Sequence, residues 1–133
     1  MTTRKYPNLR VLVVDDDALT SQLVKAVLEN LGVSTVDHAA DGAKAMSMVK
    51  AAPEPYGLII CDWMMPVMTG LEFLEKFRAA DKTTPFVMLT AKTETQEFNK
   101  AKSMGADYFL MKPLDVDGLQ LRLGTIVSKA AQL

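Results

Sequence analysis

The stretch "VLVVDDDALT", residues 11–20, decides the fold class because an apolar strand runs directly into a row of acids. Four apolar residues, three of them β-branched, are typical of a buried strand. The adjacent Asp15, Asp16 and Asp17 repel one another, since two unit charges about 4 Å apart cost about 4 kcal/mol at a surface-like dielectric. Folding gains nothing from this crowding, so the pattern indicates that a ligand sits among the carboxylates.

The rest of the chain repeats the alternation of a short apolar run and an amphipathic segment. The predicted strands cover residues 10–15, 33–38, 58–62, 86–90 and 108–111. The predicted helices cover residues 19–31, 42–51, 71–80, 95–104 and, after an N-cap at Asp115, residues 116–131. Strict alternation with short connections predicts an α/β fold, in which helices cover both faces of a five-stranded parallel sheet.

The composition is that of a soluble globular chain. We expect the 133 residues to form one domain, residues 1–133, with its core at about residues 9–131. A net charge of −1 gives no reason to expect direct nucleic-acid binding. The lone Cys61 excludes an intrachain disulfide and a cysteine-rich metal site. No apolar run approaches the ~20 residues that span a bilayer, so we expect no membrane insertion and a cytoplasmic protein.

Polar side chains converge at one edge of the predicted sheet, where the strands end. They are Asp15 and Asp16 after strand one, Asp62 at the end of strand three, Thr90 at the end of strand four and Lys112 after strand five. Ligands of open parallel sheets bind at this edge. Strand two, which ends at His38, contributes nothing obvious.

The carboxylates at this edge predict a hard divalent cation. Oxygen ligands suit Mg²⁺ better than zinc, and Mg²⁺ keeps several waters and commonly joins a phosphate. A threonine hydroxyl and a lysine ammonium are the donors expected to face the phosphate oxygens.

Four segments carry a family resemblance. They are "VLVVDDD", "IICDWMMP", "VMLTA" and "YFLMKP", and they resemble, in the correct order, the marker segments of response-regulator receiver domains. These domains are the phospho-acceptor modules of two-component signalling, and the similarity is greatest to stand-alone regulators of the CheY type. It extends over about residues 9–127 and includes the Asp41–Gly42 turn. It implies a doubly wound, flavodoxin-like sheet with strand order 2-1-3-4-5 and five flanking helices.

The resemblance also implies the roles of the site residues. Asp62 would be the phosphoacceptor. Asp16, Asp62 and the backbone carbonyl of Met64 would bind Mg²⁺, for which Mn²⁺ can substitute, and Asp15 would act through a coordinated water. Thr90, Ala91 and Lys112 would contact the phosphoryl group, and Phe109 would be the aromatic switch residue. The Lys112–Pro113 peptide bond would be cis.

Three positions depart from or vary within the family pattern. Phe109 stands where many chemotaxis regulators carry tyrosine, so its coupling to Thr90 is expected through packing and not through a hydroxyl; the alternative is that Phe109 is plain core. Met64 and Lys92 occupy the two positions that tune the phosphoryl lifetime. We expect Met64 to shield the phosphoryl group from water and Lys92 to attract the anion.

The function implied is a binding switch and not an enzyme. The phosphoryl donor would be a sensor histidine kinase, a phosphotransfer protein of a phosphorelay, or a small acyl phosphate. The output would be altered affinity for a protein target at the face formed by helix four, strand five and helix five.

Two other functions are open. The chain could be a receiver module cut from a longer transcription factor or hybrid kinase. It could also be a haloacid-dehalogenase-type phosphatase with Asp15 as nucleophile and Asp17 as acid, although this leaves Asp62 unexplained.

Several side chains have structural expectations of their own. Asp17 is expected to cap the first helix, and Cys61 is expected to be a small core residue. Among the methionines, we expect Met88 and Met111 in the core and Met65 exposed in the loop after strand three.

Overall fold

Strands and helices alternate along the chain in the computed structural model, which describes residues 5–91 and 95–132. The strands are β1 (Tyr6–Val14), β2 (Val33–Ala39), β3 (Leu58–Asp62), β4 (Phe86–Thr90) and β5 (Tyr108–Met111). The helices are α1 (Ala18–Asn30), α2 (Gly42–Ala51), α3 (Gly70–Ala80), α4 (Thr95–Ser103) and α5 (Val116–Ala130). The five predicted strand–helix pairs are confirmed.

The first strand is longer than predicted. It begins at Tyr6 and not at Arg10, because Tyr6 pairs with Val33 before a register shift and donates its backbone N–H to Gly32 O at 2.9 Å. This pairing is non-local, so the hydrophobic pattern of the strand alone does not show it.

The five strands form one parallel sheet in the order β2-β1-β3-β4-β5. The doubly wound, flavodoxin-like order is therefore confirmed. The order reverses next to β1, so β1 and β3 are neighbours although β2 lies between them in sequence. This reversal opens a crevice at the carboxyl ends of β1 and β3, where ligands of such sheets bind.

Two apolar layers cover the sheet, and the alternation of side chains along each strand sorts residues between them. Val11 and Val13 of β1 face the layer that contains α1 and α5. Leu12 and Val14 face the layer of α2, α3 and α4. Cys61 lies in this second layer and is completely buried, as expected.

The helices that begin at the carboxyl edge are capped by side chains. Asp17 accepts the Leu19 N–H at 3.1 Å and caps α1, and Asp115 caps α5, as expected for both. Thr69 and Glu72 form a capping box at the start of α3, each accepting a backbone N–H from the other residue. These caps fix the points at which three helices leave the edge.

Two of the methionine expectations are wrong. Met88 is buried as expected, but Met111 is 47% exposed because it ends β5, the edge strand of the sheet. Met65 is only 8% exposed because the loop after β3 folds back and packs Met65 into the layer of α2 and α3.

At the opposite, amino-terminal edge of the sheet, Arg78 links the loop before β4 to the loop before β5. Its guanidinium donates to the backbone carbonyls of Asp81, Thr84 and Gly105 at 2.7–3.1 Å and to the Asp107 carboxylate at 3.1 Å. The side chain is only 11% exposed, so these donors replace water for carbonyl groups of two loops.

None of the helices in the described part of the chain has the length and apolar content needed to cross a membrane.

Candidate metal centre

The strand register brings three carboxylates together. Val14 of β1 pairs with Cys61 of β3, so the next residues, Asp15 and Asp62, end adjacent strands side by side. One oxygen from each of Asp15, Asp16 and Asp62 lies within 4.8 Å of the others. The structure thus brings together the acids that the sequence predicted from two distant segments.

Asp15 is the buried member of this group, with no exposed surface. Its Oδ1 accepts the Asp17 N–H at 2.8 Å, whereas its Oδ2 is buried without a hydrogen-bond partner among the described residues. Burial raises the pKa of this carboxyl to about 6; the Asp17 N–H opposes the rise, and the charge of Asp62 adds to it. A buried carboxylate oxygen without a donor is costly, and a cation would remove that cost.

Asp16 and Asp62 differ in accessibility. Asp16 is exposed, and Asp62 is 5% exposed. A set of carboxylate oxygens with one member open to solvent suits Mg²⁺, which retains some of its water. The residues present therefore fit a magnesium site.

Lys112 supplies the positive charge of the site. It follows β5, and its Nζ lies 3.0 Å from Asp62 Oδ1 in a charge-assisted hydrogen bond. The Lys112–Pro113 peptide bond is cis. The ammonium therefore neutralises part of the charge on the strand-three carboxylate.

Thr90 lies beside Asp62 at the end of the neighbouring strand. Asp62 pairs with Leu89, which places Thr90 one residue further along β4. Thr90 is 1% exposed, and its carbonyl oxygen accepts the Lys112 N–H at 2.8 Å. This bond fixes the end of β5, and hence Lys112, relative to β4. Ala91 follows and is exposed.

The loop after β3 lies close against the acids. Gly70, the first residue of α3, donates its N–H to Trp63 O at 2.9 Å. A Cβ at Gly70 would collide with the backbone carbonyl oxygen of Asp62, so only glycine lets α3 begin here. Met64 is 59% exposed, and Val67 adopts a left-handed φ of 69°, which is rare for a β-branched residue.

The other residues singled out from the sequence lie further from the acids. Asp17 is committed to capping α1 and also accepts the Thr20 hydroxyl at 2.8 Å, so it does not join the carboxylate group. The acid of the phosphatase alternative therefore lies outside the carboxylate group. Phe109 is half-buried, and its ring lies against the tilted ring of Phe98 of α4. Lys92 lies outside the described residues.

Sequence reasoning missed two supporting residues. His38 Nε2 donates to Asp15 O at 2.8 Å, although the end of strand two offered nothing obvious in the sequence. The predicted pairing of β1 with β2 could have indicated this bond, because it aligns His38 with Val13, two residues before Asp15. The close approach of Gly70 had no local signal beyond the glycine itself.

The chemistry available here is that of an oxyanion site. Asp62 offers a carboxylate oxygen as a nucleophile, the neighbouring acids can hold a cation, and Lys112 and Thr90 offer donors to an anion that joins them. Such a set favours binding and transfer of a phosphoryl group.

Comparisons with known proteins agree with this chemistry. The family model described as "Response regulator receiver domain" matches residues 11–123. The chain is 30% identical to chemotaxis protein CheY-3 of Vibrio cholerae serotype O1 over 124 residues, which is 92% of this chain and 94% of that protein. It is 34% identical to transcriptional regulatory protein DltR of Streptococcus agalactiae over 115 residues, which is 86% of this chain and 50% of that protein.

Solved structures show the same relationship. The structure of chemotaxis response regulator CheY4 of Vibrio cholerae superposes with a TM-score of 0.79 at 37% identity, covering 89% of this chain and 98% of that one. The receiver domain of Francisella response regulator 1452 superposes with a TM-score of 0.79 at 31% identity, covering 92% of this chain and 98% of that one.

Proposed function

This chain belongs to the response regulator receiver domain family, and from that premise we propose that Asp62 accepts a phosphoryl group and that the protein acts as a signalling switch. The observation that carries the proposal is the geometry around one carboxylate. Asp62 shares a 4.8 Å group with Asp15 and Asp16 and is held by Lys112 Nζ at 3.0 Å. A phosphoacceptor role for Asp62 accounts for both neighbours.

The phosphoryl transfer is a displacement at phosphorus. A carboxylate oxygen of Asp62 attacks the phosphorus of a phosphohistidine or of a small acyl phosphate and forms a carboxyl–phosphate bond. The bond from phosphorus to the imidazole nitrogen or to the donor carboxylate breaks, and that group leaves with the electron pair. Because a carboxylate is a weak nucleophile, the rate depends on in-line placement and on neutralisation of charge.

The residues around Asp62 supply these requirements. Asp16, Asp62 and the Met64 carbonyl would hold Mg²⁺, with Asp15 acting through a water. When bound, the ion would neutralise charge on the phosphoryl oxygens. Lys112, which already contacts Asp62, would donate to a phosphoryl oxygen once the carboxylate is phosphorylated.

The switch follows from the new anion. The Thr90 hydroxyl and the backbone beside Ala91 would donate to the phosphoryl oxygens, and Phe109 would repack when Thr90 moves. A tenfold change in population needs only ~1.4 kcal/mol of differential stabilisation, which one charge-assisted hydrogen bond supplies.

The partners of such a switch are proteins. A sensor histidine kinase or a phosphotransfer protein would supply the phosphoryl group. The downstream target would bind at the face of α4, β5 and α5, which exposes Met111, Val116 and Leu121 to 47%, 55% and 74%. The output is a change in affinity and not turnover of a substrate.

Met64 and Lys92 would set the lifetime of the phosphoryl group. Met64 follows Asp62 by two residues, and its exposed side chain can shield the phosphoryl group from water. We expect Met64→Asn to hasten hydrolysis several-fold, followed as loss of the phosphorylated mass with time. An unchanged rate would remove Met64 from this role. Lys92 stays a prediction from the sequence.

Mass measurement tests the phosphoacceptor directly. After treatment with acetyl phosphate and Mg²⁺, the wild-type chain should gain the mass of one phosphoryl group, labile to hydroxylamine as an acyl phosphate is. Asp62→Asn should gain none, whereas Asp17→Asn should gain it as the wild type does. No adduct on the wild type, or an equal adduct on Asp62→Asn, would refute the proposal.

A further inference from the structure

Helix α4 has little apolar surface with which to hold its place. Of its nine residues, TQEFNKAKS, only Phe98 and Ala101 are apolar. Ala101 is completely buried but small, and Phe98 is half-buried. Most of the apolar surface that α4 can bury is therefore the ring of Phe98.

The Phe98 ring lies against Phe109 of β5. Their ring centroids are 4.1 Å apart at an interplanar angle of 35°, closer than the 5.9 Å that separates each pair among Phe73, Phe77 and Phe86 in the core. Aromatic rings in contact attract one another beyond the area that they bury. This contact therefore positions α4 and restrains Phe109 at the same time.

Phe109 shares a sheet face with Thr90. Phe109 pairs with Met88, and both pack in the layer of α2, α3 and α4. Thr90 follows Met88 by two residues on the same strand, so its side chain points to that same face. Thr90, Phe109 and Phe98 thus form a series from the acid site to α4.

We propose that Phe98 is a positioning residue of the switch, whose ring holds Phe109 in its unphosphorylated place. The inference rests on the proposed function, in which Thr90 moves to the phosphoryl group. That movement leaves space beside Phe109 in a close-packed layer, and Phe109 fills it by moving away from Phe98. A contact that is present in one state and weaker in the other biases the equilibrium between them.

Removal of the Phe98 ring should therefore favour the phosphorylated form. We expect Phe98→Ala to tighten the binding of beryllium fluoride, a phosphoryl mimic, about fivefold in the presence of Mg²⁺, in line with the strength of an aromatic pair. Trp63, the only tryptophan in the chain, follows Asp62 and should report this binding by a change in fluorescence. Phe98→Tyr keeps the ring and should bind as the wild type does.

A double-variant cycle tests whether Phe98 acts through Phe109. Phe98→Ala should have its effect in the wild-type background and lose it when Phe109→Ala is also present. Equal effects in both backgrounds would overturn the proposal. The proposal would also fail if Phe98→Ala lowered the melting temperature but left beryllium fluoride affinity unchanged. That result would mean that the contact stabilises both states equally.

Controls separate this inference from the proposed function. If the wild type binds no beryllium fluoride, or if Asp62→Asn binds it equally, the proposed function fails. If the wild type binds and Phe98→Ala is unchanged, only the inference fails. Should Phe98→Ala not fold, Phe98→Leu keeps apolar volume without the ring and should show the same tightening; an unchanged affinity there also overturns the proposal.

Discussion

At the residue scale, Asp15 is a buried carboxyl that costs the fold stability in the absence of a cation. Its pKa, raised from 3.8 to about 6 by burial, means that the folded protein holds this proton more tightly than the unfolded chain does. The contribution of Asp15 to stability is therefore most favourable below pH 4 and is lost as the pH rises to about 6.

Asp15→Asn should accordingly stabilise the metal-free protein. We expect a gain of about 1–2 kcal/mol in the free energy of unfolding at pH 7.5, because the amide keeps an acceptor for the Asp17 N–H without a buried charge. Urea unfolding in EDTA measures it. The gain should shrink as the pH falls from 6 to 4, and a gain that grows over that range would contradict the assignment.

Gly70 is the residue that allows α3 to start against the phosphoacceptor strand. Gly70→Ala should lower the free energy of unfolding by about 2–3 kcal/mol, because its methyl group meets the Asp62 backbone oxygen and cannot rotate away. Gly124→Ala in α5 is the matched control, since the nearest atom to its Cβ is Leu31 Cδ2 at 3.5 Å. That variant should gain about 0.5–1 kcal/mol, as alanine does within a helix. Equal losses at both positions would refute the close approach.

At the element scale, the helix limits were predictable where the signal is local. Gly42–Ala51 agrees with the prediction to the residue, and Asp17 and Asp115 act as caps because an N-cap depends on its own turn. The exposure of Met111 and the burial of Met65 were not predictable, since they depend on which strand is at the edge and on how a loop folds back.

Arg78 is expected to be the strongest single link between elements at the amino-terminal edge. Arg78→Met should cost about 2–4 kcal/mol, because carbonyls of Asp81, Thr84 and Gly105 lose their donor while the apolar stem is kept. Arg122→Met is the control: Arg122 is exposed and has one carbonyl partner, Phe109 O at 3.1 Å. Arg122→Met should lower the free energy of unfolding, measured in urea, by no more than about 0.5 kcal/mol. Similar losses for the two variants would contradict the role of Arg78.

At the scale of the whole molecule, the sheet and its acids could be predicted because both follow from alternation along the chain. Parallel strands bring their carboxyl ends to one edge, so residues as distant as Asp15 and Lys112 could be placed together. The Phe98–Phe109 contact could not, since it depends on how α4 packs on the sheet.

Divalent cation binding should stabilise the whole molecule. Mg²⁺ at about 100 times its dissociation constant should raise the free energy of unfolding by about 2.7 kcal/mol, because only the folded chain brings the acids together. Urea unfolding with KCl at matched ionic strength controls for screening. Asp16→Asn should lose most of this gain while folding normally, since Asp16 is exposed. An equal gain in Asp16→Asn would place the cation elsewhere.

The complete burial of Cys61 has a practical consequence for work on this molecule. Burial raises the pKa of its thiol well above the usual value, so Cys61 should not react with maleimides in the folded protein. A cysteine put in place of exposed Lys82, in the turn before β4, would then be the single addressable thiol. A dye or a surface linker attached there would lie at the end of the sheet opposite Asp15, Asp16 and Asp62.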